Sequence, residues 1–282
     1  VAGGMESMTN APYMLTKHRS GARLGHDSLK DSMFLDGLED AYEPGRAMGS
    51  FAEETCTEYQ FTREAQDEYA LRSLSRANEA IASGAFDREI VPVEVVGRKG
   101  TETITVDEQP GKANPDKIPT LKPAFAKDGT ITAANASSIS DGAAALVVTR
   151  QSVAEAQGLN IAARIVSWAT HSQEPAKFTS APVPAIRSAM EKAGWTVADV
   201  DLFEVNEAFA MVPMIAMKEL GIPAEKLNVN GGGTALGHPI GASGARIIAT
   251  LIAALQNRGL KRGVASLCIG GGEGTAIAVE IA

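Results

Sequence analysis

Apolar residues between positions 62 and 84 recur at every third or fourth position, which is the spacing of one face of a helix. The repeating positions are Ala70, Leu74, Ala77 and Ile81. Thr62 stands where a helix takes its N-terminal cap, and Gly84 stands where a helix ends. The pattern predicts one amphipathic helix from about Thr62 to Ser83, packed against a core.

From Ala162 onwards, short apolar runs alternate with helical patterns. The runs predict strands at 164–170, 201–205, 264–269 and 275–281, and the patterns predict helices at 183–193, 207–220 and 242–256. The glycines at 270–272 turn the last strand back as a hairpin. This alternation predicts an α/β fold, with a mixed sheet that carries helices on both faces.

Residues 5 to 50 show no sustained periodicity and are rich in Met, Gly and Pro. A long irregular stretch inside a compact protein indicates a functional loop or an oligomer contact. Residues 19–26 therefore either reach onto a neighbouring subunit or form a solvated loop. The opening residues 1–5 read as the end of a buried strand that meets a glycine turn, so we expect a leading segment before them.

Composition and charge narrow the class of protein. The chain has 282 residues, of which 44% are hydrophobic and 5% aromatic, as in many Ala- and Val-rich α/β enzymes. A net charge of −8 without a contiguous basic stripe argues against a nucleic-acid binder. No apolar run approaches the roughly 18 residues of a membrane helix. Two cysteines far apart in the sequence indicate a reduced, cytoplasmic compartment.

Candidate chemistry is concentrated in the last fifty-odd residues. His238 and Cys268 both lie among glycines, whose exposed N–H groups can approach a ligand and hold an oxyanion. His238 is either a buried structural histidine or a ring that reaches into a cleft. Cys268 requires an electropositive setting to act as a base near neutral pH, which the N–H groups at 270–272 and His238 could provide. This combination favours thioester chemistry.

A third candidate, Asn206, stands between a predicted strand and a predicted helix. It is either a plain helix N-cap or an amide that holds a water or a substrate oxygen. Other motifs fit poorly. The glycines at 231, 233 and 237 match a dinucleotide-binding turn only weakly, because no acidic residue follows at the end of the next strand. Four histidines and two cysteines show no metal-ligand spacing, so no metal is expected.

Five blocks of the chain, in order, resemble thiolases, and specifically acetyl-CoA acetyltransferases. They are residues 1–8, 132–142, 206–209, 230–244 and 268–272. β-Ketoacyl synthases are similar in fold but typically combine one cysteine with two histidines; the Asn206 block and Cys268 favour a thiolase.

The resemblance implies a layered α/β/α/β/α fold with mixed five-stranded sheets and an inserted loop domain. The expected boundaries are a remnant of the N-terminal half at 1–8, the loop domain at 9–139, the end of the N-terminal half at 140–160, and the C-terminal half at 161–282. The first half is therefore expected to be truncated.

The resemblance also implies residue roles in a reversible Claisen condensation of two acetyl-CoA molecules to acetoacetyl-CoA and CoA. Cys268 would exchange the α-proton, while His238 and a water held by Asn206 would stabilise the enolate oxygen. The N–H of Gly270 would help to bind the acetyl-enzyme oxygen. The pantetheine channel would be lined by Met48, Phe125, Ala133, Ser137, Ala208 and Phe209. Coenzyme A thioesters would be substrates, with no further cofactor, and the protein would be a homo-oligomer, with a tetramer favoured by the loop at 19–30.

Three departures from the family pattern bear on activity. The family's nucleophilic cysteine precedes the block that matches residues 1–5, and Cys56 in the loop domain is no substitute for it. Ala47 stands where the family usually has histidine. The nucleotide-contacting arginine has no match, although Lys112 or Lys117 could replace it. We therefore expect this chain alone to be inactive; the alternative is a truncated, non-catalytic chain that binds acyl-CoA or a partner.

Overall fold

The computed structural model describes residues 1–98 and 100–282. Within these residues the strands are β1 (Ala2–Ser7), β2 (Tyr13–Met14), β3 (Lys30–Asp31), β4 (Val93–Gly97), β5 (Gly100–Ile104), β6 (Asp141–Leu146), β7 (Ala163–Ser172), β8 (Leu202–Val205), β9 (Arg262–Ile269) and β10 (Glu273–Ile281). The α-helices are α1 (Met48–Tyr59), α2 (Arg63–Ala82), α3 (Glu108–Lys112), α4 (Gln151–Ala156), α5 (Pro182–Ala193), α6 (Met211–Leu220), α7 (Gly233–Leu236) and α8 (Ile240–Arg258).

The main sheet has the strand order β7-β10-β9-β8 and is mixed, as the sequence predicts. Strands β9 and β10 form the expected hairpin, and β10 also pairs antiparallel with β7. Strand β8 pairs parallel with β9, with Val205 opposite Ser266. Beyond β8, the fifth position of the expected sheet is represented by a single parallel bridge between Phe203 and Leu227.

Helix α8 lies between two sheets and gives the fold its layers. One side of α8 contacts the antiparallel pair β1–β6, and the other contacts β8 and β9. Apolar side chains of α8, among them Ile247 and Leu251, are buried against the main sheet. Helix α5 packs on the opposite face of that sheet, together with α6. These contacts give the order α5 and α6, main sheet, α8, and β1–β6 pair, which are four of the five layers of the expected α/β/α/β/α arrangement.

The first turn of α8 touches β1 backbone to backbone. A Cβ atom added to Gly4 would collide with the carbonyl of Gly241, and one added to Gly241 would collide with the carbonyl of Met5. Glycine is required at both positions because no side chain fits between the two elements. This contact fixes where α8 begins, and His238 lies two residues before that beginning.

Helix α2 confirms the amphipathic prediction: Thr62 accepts a hydrogen bond from the N–H of Ala65, and the helix ends at Ala82. The prediction for residues 207–220 is wrong at its start, because α6 begins only at Met211. Among the described residues, no helix combines the length and the apolar character that a membrane crossing demands.

Candidate active site

His238 lies in the short connection between α7 and α8. Gly237, with φ of 95°, turns the chain out of α7, and Pro239 is the N-cap residue of α8. The ring is partly buried, and its Nδ1 lies 2.6 Å from the hydroxyl oxygen of Ser243 in the first turn of α8. Burial, assisted by the nearby charge of Arg246, lowers the pKa of His238 to about 4. The imidazole is therefore neutral near pH 7.

Asn206 directly follows β8 and is 1% exposed. Its backbone N–H donates to the carbonyl of Ser266 over 2.9 Å, which extends the parallel pairing of β8 and β9 by one residue. Its side-chain Nδ2 lies 3.3 Å from Nε2 and 3.4 Å from Nδ1 of His238. The N-cap alternative for Asn206 is wrong, because α6 begins five residues later. The amide faces the imidazole instead.

Cys268 stands near the end of β9, two residues after Ser266. Because β8 and β9 run parallel, Cys268 and Asn206 emerge at the same edge of the sheet. The thiol is 6% exposed, and burial raises its pKa to about 12, against a smaller lowering by a backbone hydrogen bond. The sequence predicted an electropositive setting for this thiol. In the structure, desolvation outweighs it, and Cys268 is a protonated thiol near pH 7.

The backbone around Gly270 meets the first turn of α1. Gly270 is exposed, and a Cβ atom added to it would lie 3.1 Å from the sulfur of Met48. Met48 is 9% exposed and belongs to the same buried cluster as Cys268. Helix α1 thus brings a thioether next to the glycine turn that follows the thiol.

The remaining predicted channel residues gather around Phe209. Phe125 packs edge-on against Phe209 with 6.0 Å between the ring centres. Ser137 donates its backbone N–H to the carbonyl of Ala208 over 3.0 Å, and Ala136 forms a bridge with Phe209. Ala133 is exposed one residue after buried Thr132, in the loop that leads to Ser137. Five of the six predicted positions, scattered over about 160 residues of sequence, are thus brought near one another, and Ala133 is not among them.

A buried network that the sequence did not reveal holds this region together. Glu207, 0% exposed, accepts hydrogen bonds from Tyr69 (2.9 Å), Ser73 (2.7 Å), Asn228 (2.8 Å) and Thr234 (2.6 Å). Tyr69 and Ser73 lie on α2, Asn228 lies in the loop before α7, and Thr234 lies on α7. The carboxylate therefore locks the turn after Asn206 to the glycine loop that precedes His238. Nothing in the residue spacing marks Tyr69 or Ser73 as its partners, because they lie more than 130 positions away.

Cys56 lies apart in the loop region. It is 1% exposed on α1, and its thiol donates to the side-chain oxygen of Gln66 over 3.4 Å. Burial raises its pKa to about 12. A buried thiol with an amide partner is a structural cysteine.

Comparison with known proteins identifies the family. The model described as "Thiolase, N-terminal domain" matches residues 1–152, and the one described as "Thiolase, C-terminal domain" matches residues 159–281. The chain is 53% identical over 283 aligned positions to the acetyl-CoA acetyltransferase of Escherichia coli, with 99% of this chain and 71% of that protein covered. It is 50% identical to the cytosolic acetyl-CoA acetyltransferase of Mus musculus, with the same coverage.

Solved structures agree with the sequence comparison. The acetyl-CoA acetyltransferase of Bacillus anthracis superposes with a TM-score of 0.95 at 45% identity, covering 100% of this chain and 71% of that one. Human mitochondrial 3-ketoacyl-CoA thiolase superposes with a TM-score of 0.94 at 40% identity and the same coverage. The two family models, the identities and the shared fold together establish that this chain belongs to the thiolase family, a family of enzymes.

Proposed function

We propose that this protein is an acetyl-CoA C-acetyltransferase, which condenses two acetyl-CoA molecules to acetoacetyl-CoA and CoA and catalyses the reverse thiolysis. Relatives of about 50% identity carry that name. The observation that carries the proposal is the position of the Asn206 amide, 3.3–3.4 Å from the His238 ring nitrogens, at the sheet edge where Cys268 also emerges.

In the condensation, Cys268 first gives its proton to the CoA thiolate that leaves when one acetyl group is transferred. The Cys268 thiolate then takes a proton from the α-carbon of the other acetyl thioester, and the electron pair of that C–H bond moves to the carbonyl oxygen. The α-proton is only weakly acidic, so the enolate requires fixed hydrogen-bond donors aimed at its oxygen. The imidazole of His238 and a water held by Asn206 Nδ2 supply those donors. The enolate carbon then attacks a second acetyl group, a carbon–carbon bond forms, and a thiolate leaves.

The setting of Cys268 suits a proton carrier. Because burial raises the pKa of its thiol to about 12, the thiolate of Cys268 is a strong base once it has formed. For the same reason, the thiol does not readily release the α-proton that it has taken up. In thiolysis, the same thiol returns a proton to the α-carbon of the departing acetyl-CoA. The N–H of Gly270, two residues further on, binds the oxygen of the acetyl group that is transferred.

The pantetheine arm of coenzyme A is proposed to lie along Met48, Phe125, Ala133, Ser137, Ala208 and Phe209. Buried apolar walls of Phe209 and Met48 suit its methylene chain, and the exposed Phe125 stands at the outer end. Coenzyme A thioesters are substrates here, with no separate cofactor. A homotetramer in the cytoplasm is the proposed working form, with the loop at 19–30 as the contact between subunits.

The covalent step needs a thiol nucleophile. Cys56 is buried with an amide partner and a raised pKa, and Cys268 is assigned to proton transfer. Neither cysteine of these 282 residues is therefore assigned as the nucleophile, and this chain alone is proposed to be inactive.

CoA-dependent loss of acetoacetyl-CoA, measured with the protein that carries this chain, tests the proposed activity. Cleavage that falls by about 100-fold or more in Asn206→Ala supports it. Binding of acetyl-CoA by calorimetry without any cleavage would instead identify a non-catalytic acyl-CoA-binding protein.

A further inference from the structure

Arg246 lies on α8, eight residues after His238, and reaches the opposite side of the Asn206 amide. Its NH2 lies 3.4 Å from Oδ1 of Asn206, while the Nδ2 of that amide faces His238. The side chain of Arg246 is 20% exposed. The guanidinium and the imidazole therefore hold the two ends of one carboxamide.

This contact decides which way the amide points. A guanidinium carries five N–H donors and no acceptor, so only the amide oxygen can face it favourably. A flipped Asn206 would place its NH₂ group against the cation and its oxygen towards the His238 ring. With the observed orientation, a water that accepts from Nδ2 keeps both of its own hydrogens free for an oxyanion.

We propose that Arg246 is a positioning residue for the enolate site: it fixes the orientation and the place of the Asn206 carboxamide without touching the substrate. The inference rests on the proposed function, since it assigns a role within the same site.

The carboxyl group of Glu204 lies near the guanidinium of Arg246, on the strand that leads to Asn206. Its Oε2 lies 3.9 Å from NH1 of Arg246, and its side chain is 2% exposed in the middle of β8. A buried carboxyl–guanidinium pair contributes little net stability compared with apolar side chains of the same volume. The nearby carboxyl group of Glu204 instead restricts where the Arg246 guanidinium can lie, because Glu204 is on β8, two residues before Asn206.

Two further polar residues lie near Arg246. Thr250, one turn further along α8, donates to Glu89 over 2.7 Å, and burial raises the pKa of Glu89 to about 7 while Arg246 opposes the rise. The charge of Arg246 opposes the rise in pKa at both Glu89 and Glu204, so the guanidinium lies near both carboxyl groups.

A double-mutant cycle distinguishes positioning from general stability. We expect Arg246→Met to lower kcat for acetoacetyl-CoA thiolysis by about tenfold to a hundredfold, somewhat less than the loss of a direct donor, and to change KM by less than about threefold. In an Asn206→Ala background the same substitution should change kcat by less than about twofold, because the residue it acts through is gone. Equal losses in both backgrounds would overturn the proposal.

Arg258→Met is the matched control. Arg258 lies on the same helix and donates to Oδ1 of Asn230 over 3.4 Å, the same kind of contact on a different asparagine. We expect kcat within about twofold of the unmodified protein in this variant. If Arg246→Met does not fold, Glu204→Gln takes its place in the cycle, with a smaller loss of kcat that also vanishes in the Asn206→Ala background.

A measurement without turnover separates this inference from the proposed function. With asparagine side chains labelled with ¹⁵N, the Nδ2 signal of Asn206 is assigned by its absence in Asn206→Ala. It should shift in Arg246→Met and stay in place in Arg258→Met. An unchanged signal in Arg246→Met overturns the positioning role even in an active enzyme, whereas a shifted signal in a protein without thiolysis supports the positioning role and removes only the proposed function.

Discussion

The hydroxyl oxygen of Ser243 lies 2.6 Å from Nδ1 of His238 and 3.0 Å from the carbonyl oxygen of Pro239. A hydroxyl has a single proton to donate, so it can donate either to the Pro239 carbonyl or to Nδ1 of His238. Each of these hydrogen bonds is compatible with a different tautomer of the imidazole. When the proton goes to Pro239, Nδ1 carries the ring proton and Nε2 is a base. When it goes to Nδ1, Nε2 carries the proton and is a donor. The tautomer with the proton on Nε2 is the one that the proposed reaction uses, because it lets His238 donate to the enolate oxygen.

Replacing Ser243 by alanine tests this relationship. The ring loses the partner that holds Nδ1, so we expect kcat for thiolysis to fall on the order of tenfold, with little change in KM. Ser75→Ala is the control, since Ser75 is exposed on α2 and donates to Glu79. A Ser243→Ala enzyme as fast as the Ser75→Ala enzyme would show that the hydroxyl does not direct the ring.

The pKa of His238 is lowered from 6.5 to about 4, first by burial and then by Arg246. An NMR titration of the imidazole should therefore have its midpoint near pH 4, and Arg246→Met should move the midpoint upwards. In the unfolded chain the ring takes up its proton at the ordinary value, so the contribution of His238 to stability is lost as the pH falls from 6.5 towards 4. A midpoint at or above 6.5 would mean that the imidazole is solvated.

Burial raises the pKa of Glu204 from 4.5 to about 8, although Arg246 opposes the rise. Between those two values the folded state holds a proton that the unfolded state releases, so this carboxyl lowers stability as the pH rises. Glu204→Gln cannot release that proton. We expect the stability of the variant relative to the unmodified protein, measured by urea unfolding, to increase from pH 5 to pH 8. A difference that stays constant over this range would contradict the raised pKa.

The assignment of the two cysteines predicts where an acetyl group is found. After incubation with acetoacetyl-CoA, peptide mass spectrometry of the protein should show neither Cys56 nor Cys268 acetylated. Both thiols are buried with their pKa values raised to about 12, so neither forms a thiolate readily by itself. Acetylation of Cys56 would identify it as the nucleophile and contradict the structural role given to it here.

The sequence alone was sufficient for β7 to β10, α5, α8 and α2, because their periodicity is strong, but it did not indicate the short helix α7. It did not locate the start of α6, since the apolar residues 208–210 that extend the helical pattern are in fact buried in the turn after Asn206. The motifs around Asn206, His238 and Cys268 were visible as sequence blocks.

The supporting side chains were not visible in the sequence. Arg246 and Ser243 occupy ordinary helix positions, and only the folding of α8 against β8 brings Arg246 to Asn206. Likewise, the partners of Glu207 on α2 are determined by how the loop region packs against the C-terminal half. The raised pKa of Cys268 follows from burial, which neighbouring glycines in a sequence do not report.

The proposed role of Cys268 is to remove a proton from the α-carbon of acetyl-CoA, and hydrogen exchange at that carbon reports on this step directly. Acetyl-CoA is incubated in D₂O with the protein that carries this chain, and deuterium in its methyl group is followed by mass spectrometry. We expect incorporation with the unmodified protein and a rate at least about 100-fold lower with Cys268→Ala, because the proton carrier is gone. Equal rates of incorporation with the two proteins would contradict the account.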